Sequence, residues 1–268
     1  METIYDIDFA QLYKKHVQQA TREPKLPRDW DQKAEKMQVT GFDLHNHYVQ
    51  DFLSRMDFSP TDTVLDIGCG GGAIGLALAD KVKHVYLLDY SEKMLALCRQ
   101  RAENLGVTNI TTILCSWDDN WDQVPEADIC VASRSTMVND LADALDKVNS
   151  KARKAAYLTM TVEKDFVSRD VLRFIKRDGV GFPTYIYAVN ILYQQGYYAD
   201  VNLMDTHACM TPPQENFTVE DFIKSVRWSI GALTDQEVDG LRQYFSLHKE
   251  TLGVHTSHRR WAFISWKK

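Results

Sequence analysis

The chain has 268 residues, of which 44% are hydrophobic and 25% are charged, the composition of an ordinary globular protein. Its 31 Lys and Arg against 37 Asp and Glu leave a net charge of −6, which argues against a nucleic-acid partner because phosphate contacts dominate such binding. The sequence has no run of about 18 apolar residues, so no membrane span is predicted. The first residues also lack the basic and apolar parts of a signal peptide, so we expect a cytoplasmic protein that does not bind membranes.

The cysteine pattern predicts reduced core thiols rather than disulfides or a zinc site. The chain has an odd number of cysteines and no Cys-x-x-Cys pair. The five are Cys69, Cys98, Cys115, Cys130 and Cys209. His45 and His47 do not form a metal pair, because residues two apart do not share a helix face. We predict that His45 packs on an apolar stripe, and we expect no bound metal.

The first 58 residues are predicted to be helical. The spacing of their apolar residues favours helices over residues 9–20, 30–37 and 41–55. No strand pattern precedes residue 59, so we expect residues 1–58 to form a lid segment outside the core.

Residues 63–79 have the pattern of a buried strand, a glycine turn and the start of a helix. Val64, Leu65 and Ile67 form the apolar run of a central parallel strand. Four glycines follow, and without side chains they leave room for a ligand to approach the backbone. These glycines are Gly68, Gly70, Gly71 and Gly72. Together they predict a nucleotide-type binding corner at the carboxyl end of a strand.

Asp66 discriminates between the nucleotides that such a corner can bind. The glycine spacing alone also satisfies a dinucleotide fingerprint, so an NAD-dependent oxidoreductase remains a competing interpretation. A carboxylate aimed into the turn would repel a pyrophosphate but would suit the sulfonium and ammonium of S-adenosylmethionine (SAM). The order Asp-x-Gly-x-Gly-x-Gly, from Asp66 to Gly72, resembles motif I of the class I SAM-dependent methyltransferases.

A second acidic residue stands where that resemblance requires one. The apolar run 85–88 ends in Asp89, at the tip of the second predicted strand. A carboxylate there would accept hydrogen bonds from both ribose hydroxyls, although an ordinary turn residue is the alternative. Ser91 is predicted to cap the next helix, which Gly106 closes.

The rest of the chain continues the alternation of strands and helices. Further strands are predicted at residues 110–116, 128–133, 155–162, 198–204 and 260–266. Further helices are predicted at residues 138–148, 171–176, 185–195, 217–230 and 235–249. The fold class is therefore α/β, with right-handed crossovers and a doubly wound, mostly parallel sheet.

The resemblance implies a seven-stranded Rossmann-like methyltransferase sheet whose last two strands form a hairpin. Here about 50 residues separate those two strands, which predicts a helical insertion between them. The predicted segments are the N-terminal lid 1–58, the SAM-binding core 59–206, the insertion 207–256 and the final strand 257–268.

Residues 60–162 resemble the small-molecule branch of the family. Two further stretches, 30–34 and 185–196, look like parts of a bacterial and archaeal group without a settled substrate. Carried over by position, the resemblance implies a SAM site made of Asp66, Gly68, Cys69, Gly70, Gly72, Asp89, Tyr90, Met94, Ser116, Trp117, Asp118 and Ser133. In this arrangement the glycines line the methionine, Tyr90 or Met94 covers the adenine, and Ser116 or Asp118 contacts its amino group. Trp117 offers its backbone N–H to adenine, or is an ordinary core residue.

The acceptor site is predicted from charge and aromatic content. Arg134 follows the fourth strand and would bind a carboxylate of the substrate or of SAM, or else form a surface salt bridge. Tyr185, Asn190 and Tyr193 would line an apolar or planar substrate, unless their helix simply packs on the sheet. No catalytic residue is identified, because in-line methyl transfer needs alignment first and a base only for a protonated acceptor.

The sequence thus predicts a SAM-dependent methyltransferase that acts on a small-molecule substrate. An RNA or protein methyltransferase is the first alternative. The acidic balance and the lack of an Asn/Asp-Pro-Pro-aromatic run after strand four count against it. The second alternative is a SAM-binding regulatory module without catalysis.

Overall fold

A single twisted sheet organises the chain, and a computed structural model describes residues 3–20, 24–39, 42–205, 217–248 and 260–268. Its strands are β1 (Thr63–Ile67), β2 (His84–Asp89), β3 (Ile110–Leu114), β4 (Ala127–Ser133), β5 (Ala152–Thr161), β6 (Asp200–Asp205) and β7 (Arg260–Lys267). They follow one another in the order β3-β2-β1-β4-β5-β7-β6. Only β7 runs antiparallel to its neighbours β5 and β6, and the other pairs are parallel. The predicted doubly wound, mostly parallel, seven-stranded sheet is confirmed.

Helices cover both faces of the sheet. Those that the structure describes are α1 (Phe9–Gln19), α2 (Pro27–Val39), α3 (His47–Ser54), α4 (Ala73–Leu78), α5 (Glu92–Asn104), α6 (Leu141–Lys151), α7 (Arg169–Phe174), α8 (Tyr185–Gln194), α9 (Val219–Ile230) and α10 (Asp235–His248). Helices α1, α6 and α8 pack on one face, and α3, α4 and α5 pack on the other. Strand β1 serves both cores because alternate side chains point to opposite faces: Leu65 and Ile67 to the first, Val64 to the second.

A third hydrophobic core lies away from the sheet. It joins α7 to α9 and α10, the two described helices between β6 and β7. We call these three helices the cap. The helical insertion between the last two strands is therefore confirmed, and α7, which precedes β6, packs with it. None of the helices in the described ranges is long and apolar enough to cross a membrane.

Local capping explains several element boundaries. Ser91 accepts a hydrogen bond from the Met94 backbone N–H at 3.1 Å, as predicted for the cap of α5. Helix α3 begins later than predicted, because Asn46 caps it by accepting from the Val49 N–H at 3.1 Å. His45 consequently lies in the preceding turn and is exposed, so its predicted packing on an apolar stripe is wrong.

Candidate functional site

The glycine turn after β1 lies at the carboxyl edge of the sheet. Gly68, Gly70 and Gly72 all have positive φ, at 66°, 53° and 81°, which other residues rarely adopt. A Cβ at Gly68 would lie 2.4 Å from Cβ of Ser135, and one at Gly72 would lie 2.9 Å from Leu76. A Cβ at Gly70 would meet nothing within 4 Å among the described atoms. Gly70 is therefore the glycine whose bare backbone faces open space, where a ligand has room to approach.

Asp89 lies directly beside this opening. Its Oδ2 accepts a hydrogen bond from the Gly70 N–H at 2.8 Å, and its Oδ1 accepts from the Ser91 N–H at 2.9 Å. The side chain is only 5% exposed, and burial raises its pKa. The Tyr90 backbone N–H is a third donor to this carboxylate, which has about four lone-pair sites, so capacity remains for a ribose hydroxyl.

Asp66 lies beneath the turn rather than inside it. Its Oδ2 accepts from the Gly75 backbone N–H at 2.9 Å, and the side chain is 1% exposed. Burial raises its pKa to about 7, with a contribution from the charge of Asp89, against the lowering effect of the Gly75 bond. The expectation that this carboxylate points into the turn at a ligand is not met, because its oxygen holds the first turns of α4 against β1.

The cysteine inside the turn is buried with a second thiol. Cys69 and Cys98 have their sulfur atoms 4.0 Å apart, and the Cys98 thiol donates to the Gly70 carbonyl at 3.0 Å. Burial raises the pKa of the Cys69 thiol, and its hydrogen bond and charge interaction with Cys98 raise that pKa further. These thiols therefore support the turn from below.

Arg101 of α5 holds the turn from a third direction, and sequence reasoning missed it. Its guanidinium donates to the Gly71 carbonyl at 2.7 Å and to the Met37 carbonyl of α2 at 3.2 Å. It also stacks at 3.8 Å on the ring of Phe42. Because Arg101 spans both elements, it fixes α2 over the glycine turn.

The predicted adenine residues lie where α2 covers the second strand. Tyr90 donates from its hydroxyl to the Lys25 carbonyl at 3.2 Å. Met94 is buried between α5 and α2, where it packs in a cluster with Ala34 and Trp30. Asp31 of α2 accepts from the Ser91 hydroxyl at 2.6 Å. Tyr90 and Met94 thus link α2 and the residues just before it to the core, and their contacts with adenine stay predictions.

The loops after β3 and β4 are tied to the end of β1. The Trp117 indole donates to the Ser135 carbonyl at 3.0 Å, and the Ser135 hydroxyl donates to the Ile67 carbonyl at 2.6 Å. The Ser116 hydroxyl accepts a hydrogen bond from the backbone N–H of Asp118. The Asp118 residue is exposed. This network brings the predicted residues of strands one, three and four to one edge, and their contacts with adenine stay predictions.

Ser133 ends β4 and Arg134 follows it, and Tyr48 of α3 lies beside both. The Tyr48 hydroxyl shares hydrogen bonds with the hydroxyls of Ser133 at 2.7 Å and Thr159 at 2.8 Å. The Arg134 N–H donates to Thr159 Oγ1 at 3.0 Å, with φ at +57°. The Arg134 guanidinium lies 4.1 Å from the centre of the Tyr48 ring and 5.9 Å from that of Trp261. The sequence contained no signal for Tyr48, which lies far from β4 along the chain.

Helix α2 meets the cap above this edge. The rings of Trp30 on α2 and Trp228 on α9 pack edge to face with centres 5.6 Å apart. Lys33 places its Nζ 4.8 Å from the Trp30 ring and 5.1 Å from the Trp228 ring. The N-terminal segment and the insertion thus touch through aromatic rings and a lysine.

Helix α8 does not bring its three predicted substrate residues together at this edge. It crosses from β5 to the parallel strand β6, so it runs from the carboxyl edge towards the opposite edge. Tyr185 packs against the sheet, and the Asn190 amide donates to the Ile186 carbonyl at 2.7 Å. Tyr193, roughly 12 Å further along the helix than Tyr185 at 1.5 Å per residue, lies with Tyr5 and Tyr198. We leave Tyr193 and Asn190 out of the site.

Comparisons with known proteins agree with this arrangement. Residues 58–188 match a family described as a methyltransferase domain. An uncharacterized protein of Haemophilus influenzae is 39% identical over 267 residues, which are 98% of each chain. An uncharacterized RNA methyltransferase of Enterococcus faecalis is 29% identical over 130 residues, 46% of this chain and 28% of that protein. The fold is similar to that of coclaurine N-methyltransferase bound to N-methylheliamine and SAH, with a TM-score of 0.53 and 14% identity over 96% of this chain and 88% of that one.

Proposed function

The chain belongs to the class I SAM-dependent methyltransferases, and we propose that it transfers a methyl group from SAM to a small-molecule acceptor. The observation that carries this proposal is the opening at Gly70, flanked by the Asp89 carboxylate. The neighbouring glycine positions are filled by the protein's own atoms, whereas this one leaves room for a ligand against the backbone. SAM supplies the activated methyl group when it is bound there.

The residues of this chain would orient and shield that group. Asp89 would accept a hydrogen bond from the ribose, and the turn around Gly70 offers backbone surface to the rest of the nucleoside. The contact between Trp30 and Trp228 would close part of the proposed lid over the edge and help to keep water from it. Alignment of this kind supplies about 7–11 kcal/mol of a displacement barrier, so no dedicated base is required for a deprotonated acceptor.

A small acceptor is favoured by the way α2 and the cap close over the edge. An RNA chain needs an open, basic groove, whereas this protein has a net charge of −6 and aromatic rings that meet above the site. A methyltransferase for RNA or protein is the second candidate, and a SAM-binding module without catalysis is the third.

Calorimetry with SAM and NAD tests the cofactor, and we expect SAM to bind with micromolar affinity and NAD not to bind. Gly70→Ala should weaken SAM binding at least tenfold, because its Cβ would occupy the opening. Both Gly70→Ala and the matched variant Gly71→Ala should destabilise the fold, the first because φ at Gly70 is 53° and the second because its Cβ would lie 2.3 Å from Arg101 Nη1, but only the first places a Cβ in the opening. Binding of NAD alone, or unchanged SAM affinity in a folded Gly70→Ala protein, would contradict the proposal.

Methyl transfer from labelled SAM to fractionated cell extract tests the acceptor class. We expect the label in the small-molecule fraction and not in RNA or protein. Label in either macromolecular fraction would establish the second candidate. SAM binding without transfer to any fraction would favour the regulatory module.

A further inference from the structure

A chain of three hydroxyl groups joins helix α3 to the end of β4. Ser133 and Thr159 are register partners in β4 and β5, so their side chains lie next to each other on one face of the sheet. The Tyr48 hydroxyl bridges them, 2.7 Å from the Ser133 oxygen and 2.8 Å from the Thr159 oxygen. Tyr48 and Thr159 are buried, at 4% and 0% exposure, whereas Ser133 is half-buried. Of the three hydroxyls, that of Ser133 is therefore the one that a ligand can reach.

The protons of this chain have one orientation that satisfies its buried groups. The Arg134 backbone N–H donates to the Thr159 oxygen at 3.0 Å, so Thr159 is the acceptor in that bond. The Thr159 proton then has the Tyr48 oxygen as its one acceptor among the described residues, and a buried hydroxyl without an acceptor is costly. Thr159 thus donates to Tyr48, and Tyr48, which has a single proton, donates to Ser133. The Ser133 proton is left to point away from the chain.

The Tyr48 ring is held from other sides as well. The Arg134 guanidinium lies 4.1 Å from the centre of the ring, and the centre of the Phe52 ring lies 6.3 Å away. Because a tyrosine side chain has few rotatable bonds, packing of its ring fixes the position of its hydroxyl. Tyr48 therefore sets the direction in which Ser133 donates.

Ser133 lies beside the glycine turn, on the side away from Asp89. The register of β1 and β4 pairs Asp66 with Val131, which puts Gly68 beside Ser133, about 4.8 Å away across the sheet. The Asp89 carboxylate, the proposed ribose ligand, ends β2 on the other side of β1. The nucleoside would extend from the turn towards β2, which leaves the β4 side for the methyl acceptor.

We infer that Ser133 donates a hydrogen bond to a carbonyl or carboxylate oxygen of the methyl acceptor, and that Tyr48 is the positioning residue for this bond. The inference rests on the proposed function and deepens it, because it names a chemical group that the acceptor carries. This oxygen is a neighbour of the attacking atom and not the attacking atom itself, since a hydrogen bond to the attacking lone pair would hinder the displacement. A molecule that lacks the oxygen would be rejected, because it would leave the Ser133 proton without a partner in a closed site.

Methyl transfer from labelled SAM to the small-molecule fraction of cell extract, measured over a range of fraction concentrations, tests the role of the hydroxyls. Ser133→Ala should raise the half-saturating concentration of the fraction at least tenfold, because it removes the donor. Tyr48→Phe should raise it at least threefold although the ring remains, because Ser133 is no longer oriented. Both should change the maximal rate less than the half-saturating concentration, as expected for a lost binding contact. Ser133→Thr keeps a hydroxyl and should restore most of the loss.

Affinity for S-adenosylhomocysteine, the product formed from SAM, separates the acceptor from the cofactor. Calorimetry should give affinities within twofold of the unaltered protein for all three variants, which also shows that each is folded. Mass spectrometry of the labelled product shows which group lies near the new methyl group, and we expect a carbonyl or carboxylate oxygen.

Tyr157→Phe is the matched control. Tyr157 is also a buried tyrosine of which the hydroxyl makes two hydrogen bonds, since it accepts from the Asp57 N–H at 3.0 Å and donates to the Asp57 carbonyl at 3.2 Å. These bonds are made to the segment that leads into β1, away from the glycine turn. The control should lower the free energy of unfolding and leave the half-saturating concentration unchanged.

The double variant Tyr48→Phe with Ser133→Ala distinguishes positioning from a structural role. If Tyr48 acts through Ser133, its substitution adds nothing to the loss that Ser133→Ala already causes, whereas two independent effects would multiply. We expect the half-saturating concentration of the double variant to lie within twofold of that of Ser133→Ala.

Four outcomes would overturn the inference. An unchanged half-saturating concentration in Ser133→Ala would exclude its hydroxyl as an acceptor contact. Losses that multiply in the double variant would exclude positioning by Tyr48. A tenfold loss of S-adenosylhomocysteine affinity in Ser133→Ala would assign the proton to the cofactor, and a product without a carbonyl or carboxylate oxygen would exclude the proposed group. Failure of the proposed function is seen separately, as failure of the unaltered protein to bind SAM or to transfer its label, and the inference would then fall with it.

Discussion

Asp89 is the residue on which both the turn and the proposed ribose contact depend. Asp89→Ala should weaken SAM binding by about 1–3 kcal/mol, because it removes charged acceptors from two hydroxyls. It should also lower the free energy of unfolding by about 1–3 kcal/mol, since the Gly70 and Ser91 N–H groups lose their partner. Calorimetry and denaturant unfolding measure the two effects.

Asp128→Ala is the control for that substitution. Asp128 also accepts from a backbone N–H, that of Thr63 at 2.9 Å, but at the opposite end of β1. We expect it to lose stability and to keep its SAM affinity. Equal affinities for SAM in the two folded variants would exclude Asp89 as the ribose ligand.

Asp66 should make stability depend on pH in an unusual direction. Its pKa is about 7 in the folded protein, against a usual value of 3.8 in an unfolded chain. Between about pH 4 and pH 7 the unfolded chain releases the proton that the folded protein keeps, so ionisation favours unfolding. The contribution of Asp66 is therefore greatest below about pH 4 and is lost as the pH rises to about 7.

Asp66→Asn removes this titration while its amide oxygen can still accept from the Gly75 N–H. The free energy of unfolding of the variant minus that of the unaltered protein should increase from about pH 4 to pH 7 and level off above. Denaturant unfolding at a series of pH values gives this difference. A difference that stays constant over that interval would show that Asp66 keeps an ordinary pKa in the fold.

At the scale of elements, we expect the contact between α2 and α9 to keep the proposed lid closed. Trp228→Ala removes an edge-to-face ring pair, worth about 0.5–1.5 kcal/mol beyond the area it buries. We expect faster hydrogen exchange in residues 27–39 and faster release of S-adenosylhomocysteine, because the lid opens more often. Exchange detected by mass spectrometry and stopped-flow release measure these effects.

Phe174→Ala is a matched substitution inside the cap. Phe174 makes the same kind of ring contact, with Tyr244 at 5.3 Å, and its ring does not touch α2. It should leave the exchange of α2 and the release rate unchanged. If the two variants release the ligand at the same rate, α9 does not hold the lid.

The whole molecule has one hydrophobic core on each face of the sheet and a third core inside the cap. Leu241 is fully buried in the cap core, and truncation of such a leucine costs about 2–5 kcal/mol. Leu241→Ala should therefore accelerate exchange in residues 219–248 and leave the amides of β1 and β4 protected. Leu65→Ala, in the sheet core, should accelerate hydrogen exchange in the cap and in the strands β1 and β4. Equal acceleration of both regions by Leu241→Ala would show that cap and sheet unfold as one unit.

Local patterns were sufficient to predict the core of this fold. The apolar run before Gly68, the acidic residue at the end of β2 and the Ser91 cap are contiguous signals, and the structure has each element where they indicate. The helical insertion followed from the length of chain between the last two strands and from the helical patterns at residues 217–230 and 235–249. The start of α3 was missed because Asn46 competes locally for the helix end.

The sequence by itself predicted the glycine turn after β1 and the acidic residue at the end of β2. These two features also identified a family that uses SAM. These are encoded in short stretches, because turns, caps and strand alternation depend on neighbours in sequence. Only the tertiary structure decided that Asp66 lies under the turn, that Arg101 supports the turn, that Tyr48 joins the end of β4, and that Tyr193 lies away from the site. Such pairings join residues far apart in the chain, and their geometry follows from how helices pack on a sheet, which no local pattern records.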